Sequence, residues 1–282
     1  MNETRGHFAL STNGFELLYH SHFHTPTRKV IVRKFALITA MLAISSTPLA
    51  ADEKLSLSTG LDYSVGDYGD TQDTKTWFLP VNLKYTTGRY TFKLGTAYIW
   101  TKGPQNITPE GDPLPGGGMK KWVHGPGDVT ASLAANVLDE DNTAFDLDLV
   151  GKIKLATADS SKALGTGEND YSLQASLFKT LGSWGPHLDL GYRWKGDPAG
   201  VNYRNVWYGT VGTSYRLNRT WSAGADYSWR AKQTATSSPL SEATVYANFK
   251  INNHNKLNVY GVTGFSDASP DWGIGMTAIH TF

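Results

Sequence analysis

The sequence predicts an all-β chain, a transmembrane antiparallel β-barrel of twelve strands, and three observations carry that prediction. Apolar and polar residues alternate at period two from about residue 51 to the end, and no segment longer than a few residues keeps the 3.6-residue period of a helix. The connections between the alternating runs are by turns long and short, as in barrels with short periplasmic turns and longer extracellular loops. Aromatic residues are abundant (9 Trp, 14 Tyr and 11 Phe in 282 residues) and cluster near the ends of the apolar rows, where the two interfaces of a membrane would lie.

The first strand sets Leu55, Leu57, Thr59, Leu61 and Tyr63 against Ser56, Ser58, Gly60, Asp62 and Ser64. The second sets Trp77, Leu79, Val81, Leu83 and Tyr85 against Phe78, Pro80, Asn82 and Lys84. The third sets Tyr90, Phe92, Leu94, Thr96, Tyr98 and Trp100 against Thr91, Lys93, Gly95, Ala97 and Ile99. Nine more strands are expected near residues 128–137, 144–155, 170–180, 187–194, 206–217, 221–230, 243–251, 256–265 and 272–282. Long connections fall at 66–75, 102–127, 157–169, 195–205, 231–241 and 266–271; between them come short turns rich in Gly, Asn and Asp. An even strand count returns both termini to one side, and closure leaves no strand edge unpaired in lipid. The last strand alternates Trp272, Ile274, Met276, Ala278, His280 and Phe282, resembling the C-terminal signal read by barrel-assembly machinery. That machinery is therefore an expected partner through Phe282, with outer-membrane lipid and lipopolysaccharide around the wall.

Composition removes competing classes. With no cysteine there is no disulfide scaffold, thiolate metal site or cysteine nucleophile. Twenty-six basic against 25 acidic residues give no general nucleic-acid footprint, so no nucleic-acid partner is expected. A mean hydropathy of −0.35 excludes several helical spans, but a barrel wall averages lipid-facing with lumen-facing residues. Residues 30–50 read as a secretory signal peptide: Arg33-Lys34, an apolar stretch from Phe35 to Ile44, and a small-residue end cleaved after Ala50 or Ala51. Residues 1–29 read as an upstream extension, and 51–282 as the barrel domain of a protein of the Gram-negative outer membrane. Without residues 1–50 the chain holds 21 basic against 23 acidic residues.

Four pieces between Gly125 and Gly200 carry a resemblance: Gly125-Pro126-Gly127-Asp128; Lys152-Ile153-Lys154-Leu155-Ala156-Thr157-Ala158-Asp159; Leu164-Gly165-Thr166-Gly167-Glu168-Asn169-Asp170-Tyr171; and Leu188-Asp189-Leu190-Gly191-Tyr192. They resemble the transporter-like outer-membrane family named for the meta-pathway of phenol degradation (the phenol MetA family). Ala156 and Ala158 depart from that pattern, which tends to carry proline and glycine there. The resemblance implies an outer-membrane barrel associated with uptake of aromatic or otherwise hydrophobic carbon sources.

If the apolar rows face lipid, parity turns Asp62, Lys84, Lys93, Asp146, Asp148, Lys152, Lys154, Asp189, Arg193, Arg216, Asp226, Arg230, Lys250 and Lys256 into the lumen. Nine are basic and five acidic, which suggests a narrow, moderately anion-favouring passage; a salt-bridge network bracing the wall is the equal alternative. Twelve strands lie between the filled eight-stranded barrel and the wide porin, so a restricted path for single small solutes is expected. The longest connection, with Met119, Trp122 and Val123 at its far end, is either an inward lid or a solvent-exposed loop. An outer-membrane lipid-acting hydrolase and a structural or adhesive barrel are the alternatives. His124, His187, His254 and His280 are scattered and fit no serine-hydrolase motif. No enzyme activity, cofactor or metal site is expected, and the acids at 139–141 are too few for a calcium cage.

Overall fold

The computed structural model describes residues 53–104, 107–114, 121–140 and 142–282; the extension, the signal segment and Met119 lie outside them. Thirteen strands form one antiparallel sheet: β1 (Glu53–Gly66), β2 (Thr74–Thr87), β3 (Tyr90–Lys102), β4 (Val123–Pro126), β5 (Val129–Leu138), β6 (Asp146–Leu155), β7 (Asp170–Phe178), β8 (Trp184–Trp194), β9 (Val206–Arg216), β10 (Trp221–Arg230), β11 (Leu240–Lys250), β12 (Asn255–Gly264) and β13 (Trp272–Thr281). Apart from β4 and β5, which both pair with β3, each strand pairs with its chain neighbour, and β1 pairs with β13, from Ser56 opposite Thr281 to Val65 opposite Trp272, so the sheet closes into a barrel.

The wall has twelve positions because β4 and β5 share one. Both pair with β3, β4 against Tyr98–Thr101 and β5 against Tyr90–Gly95. The expected fourth strand is therefore longer than its alternation showed, and it is broken at Gly127-Asp128, just after Pro126, which has no N–H to give the ladder. Across the break the Gly127 N–H donates to the Ala97 carbonyl at 2.8 Å. The period-two pattern fails there, and Val123–Pro126 reads from sequence as loop.

All five short turns lie at one end with both termini of the barrel, and all six longer connections lie at the other. The tightest turn is the two-residue Gly88-Arg89, where Gly88 at φ 51° supplies the left-handed backbone that the first position of such a hairpin requires. In the turn after β5, Glu140 meets the Lys179 ammonium at 2.8 Å and accepts from the Thr180 N–H, a brace and not a cation cage.

The apolar rows face outward, leaving Leu190, Val211, Val245 and Ile274 about half or more exposed. Two aromatic belts flank them. Trp184 packs on Tyr215 and Trp221 on Phe249 at the short-turn end; Tyr63, Trp77 and Trp272 form one group at the long-loop end and Tyr192, Trp194 and Trp207 another. On β9, Trp207 and Tyr215 mark the two belts eight residues apart. At ~3.3 Å per residue and ~40° tilt that is ~20 Å of height, close to the apolar band of such barrels. Phe282 stands exposed at the short-turn rim, its N–H bonded to the Leu55 carbonyl at 2.9 Å.

This placement has a direct consequence at mid-strand. Val211→Lys, on the lipid face, should lower folding stability in vesicles by about 2–4 kcal/mol, whereas Thr210→Lys on the lumen face should change it by about 0.5 kcal/mol. Urea titration of refolding reads both.

Candidate functional site

The inward face is polar, and its aromatic members are accommodated by glycines. Tyr208 stands opposite Gly191, Tyr246 opposite Gly224 and Tyr260 opposite Gly275. A Cβ on any of these glycines would collide with the facing ring. The rings can lie along the wall because the neighbouring strand offers only backbone there. The Tyr208 hydroxyl donates to Gln174 Oε1 at 3.1 Å, and the Arg193 guanidinium lies 5.4 Å from the Tyr208 ring centre.

The parity-assigned charges separate into two groups. Lys154 and Arg230 are buried, and both belong to a network at the long-loop end. The Lys154 ammonium bonds Asp128 at 2.8 Å and lies 3.7 Å from Asp170; the Lys195 ammonium bonds both Asp170 and Asp112 at 2.8 Å. Arg230 stands 3.9 Å from Asp112 and donates to the Gly111 carbonyl at 2.8 Å. The Gln233 amide completes the Asp112 shell at 2.6 Å. Three carboxylates thus face three cations, all nearly excluded from water.

The second group makes no ion pair among the described residues: Lys84, Lys93, Lys152, Arg193, Arg216, Lys250 and Lys256. Lys84, Lys93 and Lys152 are water-exposed inside the barrel. Arg216, Lys250 and Lys256 line a 490 Å³ cavity at the short-turn mouth, and Asp146 and Asp148 line another of 470 Å³. Asp148 accepts from the Asn136 amide at 2.9 Å and Asp146 from the Glu140 N–H at 2.8 Å. Asp226 meets His187 Nε2 at 3.2 Å, which places His187 in the lumen. Asp62 lies opposite Gly275 beside the Tyr260 ring, and Asp189 lies opposite Thr210 on the inward face.

The buried network holds a piece of the longest connection against the mouth. Ile107 bridges to Pro113, Gly111 turns at φ 79°, the Thr108 N–H donates to the Asp112 carbonyl at 2.7 Å and the Asp112 N–H donates to Thr108 Oγ1 at 3.0 Å, so residues 107–114 form a small hairpin. Asp112 lies at its turn, and the Tyr203 hydroxyl donates to the Pro113 carbonyl at 2.5 Å. Burial pushes the Asp112 carboxyl up, but the Lys195 ammonium and Arg230 guanidinium beside it outweigh burial and hold it well below the usual carboxylate range.

Two of the three residues named for a lid or an exposed loop are described, and both stand at the wall. Trp122 is on the outer face, half-exposed, where it lines a 360 Å³ apolar recess with Leu61, Trp77 and Trp100. Val123 is buried in a cluster with Ile99 and Leu164, packed against Phe78, Ala97 and Ala158. Asp112, Lys195, Tyr203 and Gln233 were not singled out from sequence because they lie in connections where no periodicity speaks. A lone acid between Gly111 and Pro113 was the available signal.

The first three of the four resemblance pieces meet at this network. Asp128 accepts from the Thr157 and Ala158 N–H groups at 3.0 and 2.8 Å, Lys154 donates to Thr166 Oγ1 at 3.2 Å, and Asn169 Oδ1 accepts from the Ala156 N–H at 2.8 Å. A Cβ on Gly165 would strike Ala158 and the Asp128 carboxylate. The pattern is thus explained as a brace for the connection between β6 and β7.

Removing the Lys195 charge as Lys195→Gln leaves Asp112 and Asp170 short of their shared cation. It should cost about 3–5 kcal/mol and expose residues 107–114 to protease. Asp112, with its folded pKa depressed from 3.8, contributes stability that is present above the unfolded value and lost as pH falls through the folded one. Pepsin cleavage within 107–114 should therefore be absent at pH 5 and emerge only below about pH 4.

No family model matches the chain, and no curated protein matches its sequence. Among solved structures, an outer membrane channel from Pseudomonas putida F1 aligns with a TM-score of 0.62 at 14% identity, over 84% of this chain and 98% of that one. The KdgM porin (TM-score 0.48, 11% identity, 80% of this chain and 99% of that one) and the CymD monoaromatic hydrocarbon channel (0.45, 11%, 83% and 88%) are more distant. The first of these likenesses establishes a shared barrel fold.

Proposed function

We propose that this barrel is an outer-membrane channel that conducts small solutes passively, aromatic carbon sources among them. The observation that carries the reading is the division of lumen charge. Lys154, Lys195 and Arg230 at the long-loop mouth are consumed by a buried network that holds a hairpin in place, while Lys84, Lys93 and Lys152 along the wall stay unpaired in water. A barrel braced only by its own charges would pair both groups. The channel fold of the Pseudomonas putida F1 protein and the resemblance to a phenol-degradation transport family support the same reading. Residues 30–50 direct export and are removed, lipid and lipopolysaccharide contact the outer belts, and Phe282 is offered to the assembly machinery. Nothing in the mechanism requires energy coupling: a solute enters past the hairpin, follows the polar wall and leaves at the short-turn mouth.

Two measurements test this. Cells lacking the protein should take up labelled benzoate or phenol more slowly than cells expressing it, and equal uptake defeats the reading. Replacing residues 107–114 by a Gly-Ser segment should raise single-channel conductance about twofold or more; unchanged conductance places the hairpin outside the path.

A further inference from the structure

We infer that the lumen carries a route for anionic aromatic solutes, small aromatic carboxylates, along one continuous row of the wall; the inference rests on the channel reading. Cross-strand register defines the row. Lys84 pairs with Lys93, Lys93 with Ser132, Ser132 with Lys152, Lys152 with Ser172 and Ser172 with Arg193. Partners in register point to the same side of a sheet, so four cations and two hydroxyls project inward side by side from six adjacent wall positions, with no carboxylate among them.

The row climbs. Lys84 and Lys93 each lie three residues from the short-turn end of their strands, and Arg193 lies one residue from the long-loop end of β8. Six positions at ~4.8 Å spacing and ~40° tilt cover ~24 Å along the row and ~15 Å of height. Successive cations are separated by one or two strand spacings, so a carboxylate moving between them stays within ~5 Å of one. That is inside the ~8 Å Debye length of physiological salt. Ser132, partly exposed, offers a hydroxyl donor in the gap between Lys93 and Lys152.

A second row of opposite sign runs parallel. Asp148 pairs with Ser176, Ser176 with Asp189, Asp189 with Thr210, Thr210 with Ser228 and Ser228 with Glu242. It lies four residues below the first on β6 and β8, ~13 Å along the strand, too far to quench it. Between the rows sits Tyr208, its ring against Gly191 and beside Arg193. An aromatic carboxylate near the upper end meets a guanidinium for its charge and a ring for its face.

The test is reversal-potential recording on the full refolded barrel in planar bilayers, with sodium benzoate gradients. Wild type should favour benzoate over sodium by about fivefold or more. The triple variant Lys93→Gln, Lys152→Gln, Arg193→Gln should bring the ratio to about one, with open channels still recorded in potassium chloride. Lys152→Glu alone should lower the ratio without closing the channel. Benzoate should block chloride current more strongly than cyclohexanecarboxylate, and Tyr208→Leu should abolish that difference. A wild-type ratio of one or below, or an unchanged ratio in the triple variant, overturns the route while leaving the channel intact. Absence of any conductance in potassium chloride removes the channel reading itself and the route with it.

Discussion

The mouth of this barrel depends on one alternation of buried charge: Asp128, Lys154, Asp170, Lys195, Asp112, Arg230. Each neighbouring pair in that series lies between 2.8 and 3.9 Å apart. Its members come from the break in the β4–β5 wall position, the ends of β6, β7, β8 and β10 and the longest connection. Charges this dry are tolerated only when paired and hydrogen-bonded, so the series acts as a unit. It fixes how the β6–β7 connection folds against the break at Asp128 and where the hairpin at residues 107–114 rests. Because three negative groups meet three positive ones, the network neutralises itself and leaves the field of the lower wall uncompensated.

That wall obeys a different constraint. In hydrocarbon every backbone group must be bonded within the sheet, which closure of β1 on β13 supplies, and side chains are then free to differ completely on the two faces. The outside is an apolar band between aromatic belts. Inside, Gly191, Gly224 and Gly275 remove the Cβ atoms that would otherwise push Tyr208, Tyr246 and Tyr260 toward the axis. The lumen thus keeps large side chains and water together.

Most of the wall was legible from period-two alternation, because a lipid-facing apolar row against a polar lumen row is imposed on each strand. Parity placed Lys84, Lys93, Lys152 and Arg193 inside for the same reason. The β4 segment escaped because Pro126 and Gly127 interrupt the pattern. The direction of Trp122 stayed open because an aromatic residue in a loop carries no sign of which way the chain turns; it stands with Trp77 and Trp100 outside. Asp112 and Lys195 escaped because their partnership joins residues 83 positions apart.

The linear sequence by itself determined the strand number, the lipid face, the aromatic belts and which charges point inward, since each follows from local alternation and turn chemistry. Only the tertiary structure decided which of those charges are consumed and which remain free. Pairing is a matter of register and of where long connections fold. Lys152 and Lys154, two residues apart on the same face of β6, read alike in sequence. The closed barrel buries one among aspartates and leaves the other in water.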